Sequence, residues 1–571
     1  MRRRDGLQSR SRILTLMVLM VMGYLVLFAR LVYWQEVRHL DLSAMAAAYH
    51  DDRVVLPAAR GKIVDRNGAL LVSNTPVFSI FASPDQIDAA DRGRVSAALA
   101  PLLDMPAAEI MTRLQTNRMF VYLKRRVPAA VAHRLDGLGL VGIGKLEETQ
   151  RSYVEGPVKG TSLAANLLGF TTDDGQGSYG VEGYYNNLLA GQDGFEATIR
   201  DLQNNPIVLS DRQRQNPVDG ATLQLSLESS IQVVAERALA DGIRRYQASS
   251  GTLIIMEPST GRIVAWADVP SYDANRFPST PTSLFRDAAV SDLYEPGSVM
   301  KVVTLSGALD NHAITPQTRI NDPGVVRVGG YAIHNWDGKA HGPVTMSQVL
   351  ANSLNVGAIK AEQMEGSAAF FNGLQRFRIG TPTGIDVAGE VAAPLGNLNR
   401  WPESRLATAS FGQGIAATPI QVLAAVNAVA TGGEYVWPHV VDNIIDAQGH
   451  IHPVAPRVLG RAISPEAAAQ MREMMIGAVE HGSGYAARIE GFHGRIAGKT
   501  GTASIPQAGG YSKKPSDVIG SFVGFLPAEN PQFTMLVIVR KPKLLFEGAY
   551  VAAPIWKTVA SAIITQWNIA P

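Results

Sequence analysis

Cysteine is absent from the 571 residues, which excludes disulfides, thiol nucleophiles and every cysteine-ligated zinc or iron–sulfur site. Charge is also scarce. Asp, Glu, Lys and Arg make up 18% of the chain and nearly cancel, at +2, so a nucleic-acid binder working through a broad basic surface is excluded. No internal repeat is evident, and the 54 Gly and 32 Pro fit a loop-rich globular protein. What is abundant is apolar side chain, at 46%, enough for a sizeable core and incompatible with a wholly disordered chain. The length suggests about three or four domains.

The charge that exists is unevenly placed. Arg2, Arg3, Arg4, Arg10 and Arg12 stand against Asp5 alone in the first twelve residues. Ile13 to Ala29 then carries no charge, and Leu31 to Trp34 extend the run past Arg30. About 20 apolar residues cross a bilayer core, so residues 13–34 read as a transmembrane anchor behind a cytoplasmic tip, 1–12. Arg30 can snorkel, and Tyr33 and Trp34 suit the interface. The arginines predict an amino terminus held in the cytoplasm and an exported body. A cleaved signal peptide would need a shorter apolar region with a small-x-small site close behind it. The one such site, around 44–48, is separated from the run by Glu36, Arg38, His39 and Asp41, which favours an uncleaved anchor.

Past the anchor, 40–220 reads as an elongated mixed module. Arg60-Gly61-Lys62-Ile63-Val64-Asp65-Arg66-Asn67-Gly68 looks like a strand entering an Asn-Gly turn, with 69–72 returning. The 221–571 part is more strongly patterned. Apolar strands are expected at 252–256, 263–267, 518–525 and 533–539, with helices at 302–309, 345–362, 420–429, 465–479 and 552–567. Strands at both ends and helices between them imply one α/β (α+β) domain whose antiparallel sheet is closed by its own terminal strands.

Without cysteine, covalent chemistry falls to Ser, Thr, Lys or a carboxylate. Of all the lysines, Lys301 alone has a serine three residues before it, Ser298. Positions i and i+3 share a helix face. The helix that follows is apolar nearly all round, and burial would lower the Lys301 pKa toward that of a usable base. The amide groups at the helix start also point toward any oxyanion formed on Ser298. S-x-x-K is nonetheless short enough to arise by chance, with Ser298 only a cap. Ser353-Leu354-Asn355, 55 residues later, could relay a proton and bind an amide, or could simply form a turn. Lys499-Thr500-Gly501-Thr502-Ala503 fails as a phosphate loop, because His493 stands where the first glycine is required. As an edge strand it could pair with an extended peptide. Gly501 would allow close approach, while Lys499, Thr500 and Thr502 could hold a terminal carboxylate. His450-Ile451-His452 lacks a third ligand at helical spacing and reads as an exposed turn, and Met471, Met474 and Met475 read as core.

The order S-x-x-K, S-x-N, K-T-G resembles the penicillin-recognising serine acyltransferases. The 60–68 segment, Gly180-Val181-Glu182-Gly183, Tyr294 to Ser298, Phe411-Gly412-Gln413-Gly414 and Ser521 to Phe525 are similar to those of class B penicillin-binding proteins. K-T-G-T resembles the division-type branch (penicillin-binding protein 3). The resemblance implies a penicillin-recognising transpeptidase domain behind a pedestal of dimerisation type. It implies acyl transfer on D-Ala-D-Ala stem peptides of peptidoglycan during septal wall synthesis, inhibited by β-lactams.

By the same resemblance Ser298 is the nucleophile and Lys301 its base, and the amides of Ser298 and Thr502 form the oxyanion hole. Ser353 with Lys499 serves the leaving group, Asn355 holds the stem amide, and Thr500, Gly501 and Thr502 bind the carboxylate end. No metal or organic cofactor is implied; a lipid-II-polymerising glycosyltransferase and other division proteins are the implied partners. The alternatives are an elongation-type transpeptidase, a tethered D,D-carboxypeptidase or β-lactamase, and a non-catalytic penicillin sensor or division scaffold.

Overall fold

The apolar run near the amino terminus forms the α-helix Asp5–Val32, continued by a π-helical turn, Tyr33–Val37. Residues Arg12–Val37 are long and apolar enough to cross a membrane. Every large apolar side chain from Ile13 to Phe28 is more than half exposed, so no protein core accounts for the helix's composition. A helix that is apolar on all sides needs an apolar surrounding. The computed structural model describes residues 5–39, 41, 51–199, 213–507, 510–512 and 514–570. Arg2, Arg3, Arg4 and the small-residue site at 44–48 lie outside the described residues.

The described residues fall into two units by their contacts: Met1–Ala59 with Gly191–Asp219, and Arg60–Ala190 with Gly220–Pro571. The first holds the long helix and a three-stranded antiparallel sheet ordered Asp51–Leu56, Gly194–Ile199, Gln213–Gln215. Its connections are tied by carboxylates: Asp193 Oδ1 accepts from the Ala58 amide at 2.8 Å and Asp219 Oδ1 from the Ala59 amide at 2.9 Å.

The second unit contains two large sheets. In one, the Asn-Gly turn forms as expected: Ile63–Val64 pairs antiparallel with Leu70–Ala82, and Asp65 Oδ1 accepts from the amides of Asn67 and Ala69. Ile63–Val64 also runs parallel to Thr222–Leu225, which pairs with Val441–Ile445. Strands that the sequence assigns to the module before 220 and to the part after it therefore share one ladder. Leu70–Ala82 pairs in addition with Val121–Pro128 and with Ile143–Tyr153.

The other sheet is five-stranded and antiparallel, in the order Ile263–Val269, Ser250–Met256, Phe533–Arg540, Val518–Leu526, Ala497–Ser504. Its ends come from both ends of the domain, as the apolar pattern implies. Side chains alternate across a strand, and along Phe533–Arg540 both faces are buried: Phe533, Met535, Val537 and Val539 make one wholly apolar face, while Leu536 and Ile538 share the other with Thr534 and Arg540. Phe533, Met535, Val537 and Val539 pack on helices Ser229–Arg245 and Ala553–Gln566. Leu536 and Ile538 join the core of helices Met300–Asp310, Pro419–Ala430 and Pro465–Glu480, where Met471, Met474 and Met475 are buried.

One expectation fails instructively. The helix expected over 345–362 is two helices, Met346–Ala351 and Asn355–Glu365. Thr345 and Gln348 form a capping box that starts the first. The chain then breaks at Ser353, whose φ is +58°. Asn352 and Ser353 are residues whose side chains compete for backbone bonds and favour turns.

The sequence also gives no sign of a buried ion cluster formed by its two upstream motifs. Glu182 is fully buried. Its Oε2 accepts from Arg60 Nη2 at 2.5 Å and its Oε1 from Arg151 Nε at 2.7 Å. Arg151 donates further to Gly61 O and Asn74 Oδ1, and Arg60 to Asn186 Oδ1. Burial, followed by the Glu182 charge, pushes the Tyr153 phenol up, so it stays protonated and donates to Glu182.

Candidate active site

Ser298 sits in a single 3₁₀ turn, Gly297–Val299, that leads into helix Met300–Asp310. Gly297 makes the turn possible. Its φ is +59°, and a Cβ there would stand 2.8 Å from the carbonyl oxygen of Thr502, so only glycine lets this segment touch the Ala497–Ser504 strand without strain. Its amide donates to Gly412 O at 3.0 Å, which brings in the Phe411-Gly412-Gln413-Gly414 segment.

One turn along, Lys301 is completely buried. Its Nζ lies 3.0 Å from Ser298 Oγ and 3.2 Å from Ser353 Oγ, and donates to Ser353 O at 2.6 Å and to Asn355 Oδ1 at 2.9 Å. Among the described residues no carboxylate faces the amine. Burial first, and then the charge of Lys499, hold its pKa well below the usual lysine value. In the neutral form two N–H groups serve the two obligate acceptors, Ser353 O and Asn355 Oδ1. The lone pair then remains for a hydroxyl proton, and Ser298 supplies one at hydrogen-bond distance.

The break between the two helices serves the same point. It aims Ser353 between both lysines: Lys499 Nζ, also completely buried, lies 3.0 Å from Ser353 Oγ and donates to Thr500 O at 2.8 Å. Desolvation brings Lys499 down to about 7. Non-glycine residues held at positive φ concentrate where function imposes the geometry. Two residues on, Asn355 starts the next helix, and its Nδ2 donates to His334 O at 3.0 Å.

Lys499, Thr500, Gly501 and Thr502 lie on the edge strand of the sheet, paired on one side with Val518–Leu526. Gly501 is forced by packing: a Cβ would lie 2.3 Å from Ser521 Oγ and 2.9 Å from Val299 Cγ2. Thr500 Oγ1 is 2.8 Å from Ser483 Oγ, and Thr502 Oγ1 accepts from the Gly548 amide at 3.1 Å. A cleft of about 380 Å³ opens over these groups, lined by Ser298, Ser353, Asn355, Thr500 and Thr502. All eight residues singled out from sequence thus converge.

The cleft also has walls that sequence reasoning missed. Trp336 donates from its indole to Asn352 O at 3.0 Å, and Ser483 and Glu547 line the same cleft. Ser483 lies in a Gly-Ser-Gly loop, a turn signal that gives no hint of which distant strand it meets. His450 and His452 stand apart, exposed, and both face Asp446 Oδ2, at 3.0 and 3.2 Å. Among the described residues, no group of three or more His, Cys, Asp or Glu could hold a metal ion.

Comparison with known proteins agrees with this geometry. Residues 251–561 match the penicillin binding protein transpeptidase domain, and residues 55–225 the penicillin-binding protein dimerisation domain. The chain is 30% identical to stage V sporulation protein D of Bacillus subtilis, over 98% of this chain and 86% of that protein. It is also 30% identical to the peptidoglycan D,D-transpeptidase FtsI of Escherichia coli, over 95% of this chain and 89% of that protein. The crystal structure of a peptidoglycan synthetase from Bifidobacterium adolescentis superposes with a TM-score of 0.72 at 26% identity, covering 91% of this chain and 98% of that one. With both modules matched in order and relatives aligned from end to end, the chain belongs to the class B penicillin-binding proteins, the serine transpeptidase family.

Proposed function

We propose that the protein is a membrane-anchored peptidoglycan D,D-transpeptidase that cross-links stem peptides through an acyl-enzyme on Ser298. One observation carries the reading: a buried lysine amine, with no carboxylate partner among the described residues, lies 3.0 Å from a serine that lines a cleft along an edge strand. Ser298 Oγ attacks the carbonyl of the penultimate D-Ala while neutral Lys301 takes its proton. The Ser298 and Thr502 amides hold the oxyanion. Ser353, 3.2 Å from Lys301 Nζ and 3.0 Å from Lys499 Nζ, relays the proton to the departing D-Ala amine. Asn355 holds the stem amide, and Thr500 and Thr502 hold the terminal carboxylate beside Gly501. A second stem's amine resolves the ester and completes the cross-link.

The arginines at 2–4, 10 and 12 support an amino terminus in the cytoplasm and a catalytic domain outside the membrane. Residues 40–220 act as the pedestal and 221–571 as the transpeptidase domain. A glycosyltransferase that polymerises lipid II, with other division proteins, completes the assembly. The septal assignment rests on likeness to the division-type branch. A fluorescent fusion tests it: midcell signal supports it, and sidewall signal assigns the protein to elongation.

Labelling of the full-length protein with fluorescent penicillin tests the chemistry. The native protein takes a long-lived label and Ser298→Ala takes none while melting at the native temperature. Label retained by the folded variant would overturn the reading, and rapid penicillin turnover would make the enzyme a β-lactamase.

A further inference from the structure

The helix that carries Asn355 has no cap of its own. Leu354 stands before Asn355–Glu365 and its side chain cannot bond the first amides, which have no carbonyl one turn back to serve them. The cap arrives from upstream. Asp322-Pro323-Gly324 turns the chain into an antiparallel arm, Val325–Val328 with Tyr331–His334, and the arm delivers His334, Asn335 and Trp336 to the break at Ser353. Asn335 Oδ1 accepts from the Val356 amide at 3.1 Å, His334 O accepts from Asn355 Nδ2 at 3.0 Å, and the Trp336 indole donates to Asn352 O at 3.0 Å. Three consecutive residues thus hold the chain on both sides of the serine that points between the two lysines.

Asn335 is itself fixed. It is buried, and its Nδ2 donates to Asp322 Oδ2 at 2.8 Å and to Lys339 O at 3.1 Å. Asp322 is fully buried, and its other oxygen accepts from the Gly324 amide at 2.8 Å. A carboxylate takes only donors, so the Asn335 amide turns its Nδ2 to Asp322 and leaves Oδ1 for the helix. Ser353, at φ +58°, keeps so sparsely populated a conformation only where its surroundings impose it. Ser353 O and Asn355 Oδ1 are also the two acceptors that occupy the Lys301 amine. A slack turn would misplace the relay hydroxyl and, with it, the bonds that leave the lysine lone pair facing Ser298. From the proposed transpeptidase reading, on which this inference rests, we infer that Asn335 is a positioning residue for acyl transfer. Backed by Asp322 and flanked by Trp336, it caps the helix from outside and so sets Ser353 and Asn355 against Lys301.

The test is stopped-flow acylation of the full-length protein in detergent by fluorescent penicillin, with amplitude and limiting rate constant read separately. The amplitude counts folded molecules; the rate constant reports the geometry within them. Asn335→Ala lowers the rate constant by about 10–100-fold, the cost of a misplacement on the order of an ångström. Asn335→Asp sets two carboxylates face to face and lowers it as well. Combining that change with Asp322→Asn opposes one donor to one acceptor again and restores most of the rate. Trp336→Phe keeps the ring, loses the N–H and lowers the rate constant by about 2–10-fold, the worth of one hydrogen bond. A native rate constant in folded Asn335→Ala would overturn the inference, because Asn335 would then hold only the arm. So would a double variant no faster than Asn335→Asp. If Asn335→Ala yields no folded protein, Trp336→Phe decides, and a native rate constant there overturns the inference. A native protein that takes no label at all would instead overturn the transpeptidase reading, and the positioning role with it.

Discussion

Two buried polar clusters in the same unit treat their cations in opposite ways. Around Glu182, the guanidinium groups of Arg60 and Arg151 meet a carboxylate at 2.5 and 2.7 Å. Around Ser298, the amines of Lys301 and Lys499 meet hydroxyls and carbonyls, the charge of Lys499 acts on Lys301, and among the described residues no carboxylate pairs with either. Burial disfavours a lone charge. The paired arginines hold structure together; a buried lysine without a counter-ion gives up its proton more easily and can act as a base. The residue types match their roles, since lysine shifts readily and arginine does not.

The contrast can be broken from either side. The largest effect is expected for Ser298→Ala, which removes the oxygen proposed to carry the acyl group. Acylation by fluorescent penicillin falls below detection with no change in melting temperature. Lys301→Met keeps the stem and loses the base, and should lower the acylation rate constant by about 10²–10⁴-fold. Glu182→Ala does the reverse. Two buried guanidinium groups lose their partner, which costs about 3–5 kcal/mol in denaturant unfolding, while the molecules that remain folded acylate at the native rate.

The pH profile sharpens the same point. Lys301 must be neutral to accept the proton, and its pKa is depressed, so acylation rises with pH through its titration, below the range of an ordinary lysine. Lys499 loses its proton near pH 7, so the affinity for carboxylate-ended donors weakens as pH rises past that point. Stopped-flow acylation at varied pH reads both limbs. A flat profile would mean that the amine does not act as base. The smallest effect is expected for Thr500→Val. It removes the hydroxyl shared with Ser483 and should raise the donor KM by about 5–10-fold, near the value of one hydrogen bond.

The site was more legible in the sequence than the scaffold around it. Ser298 and Lys301 are one helical turn apart, so their meeting follows from local geometry. Gly501, in an apparent edge strand, announces a close approach. Three short motifs in fixed order supplied the rest. Unreadable were the features set by distant chain. Arg151 meets Glu182 across 31 residues and Gly61 across 90, and neither distance has a period. The break at Ser353 was hidden because apolar spacing continues across it and helical pattern alone cannot register one left-handed residue.

The ladder that joins Ile63–Val64 to Thr222–Leu225 bears on how the enzyme can be handled. A fragment cut to begin at 221 would bare the backbone of Thr222–Leu225 along one edge, an invitation to aggregate. Soluble preparations for inhibitor work should therefore start upstream of Arg60, so that excision removes the anchor and leaves the shared ladder whole.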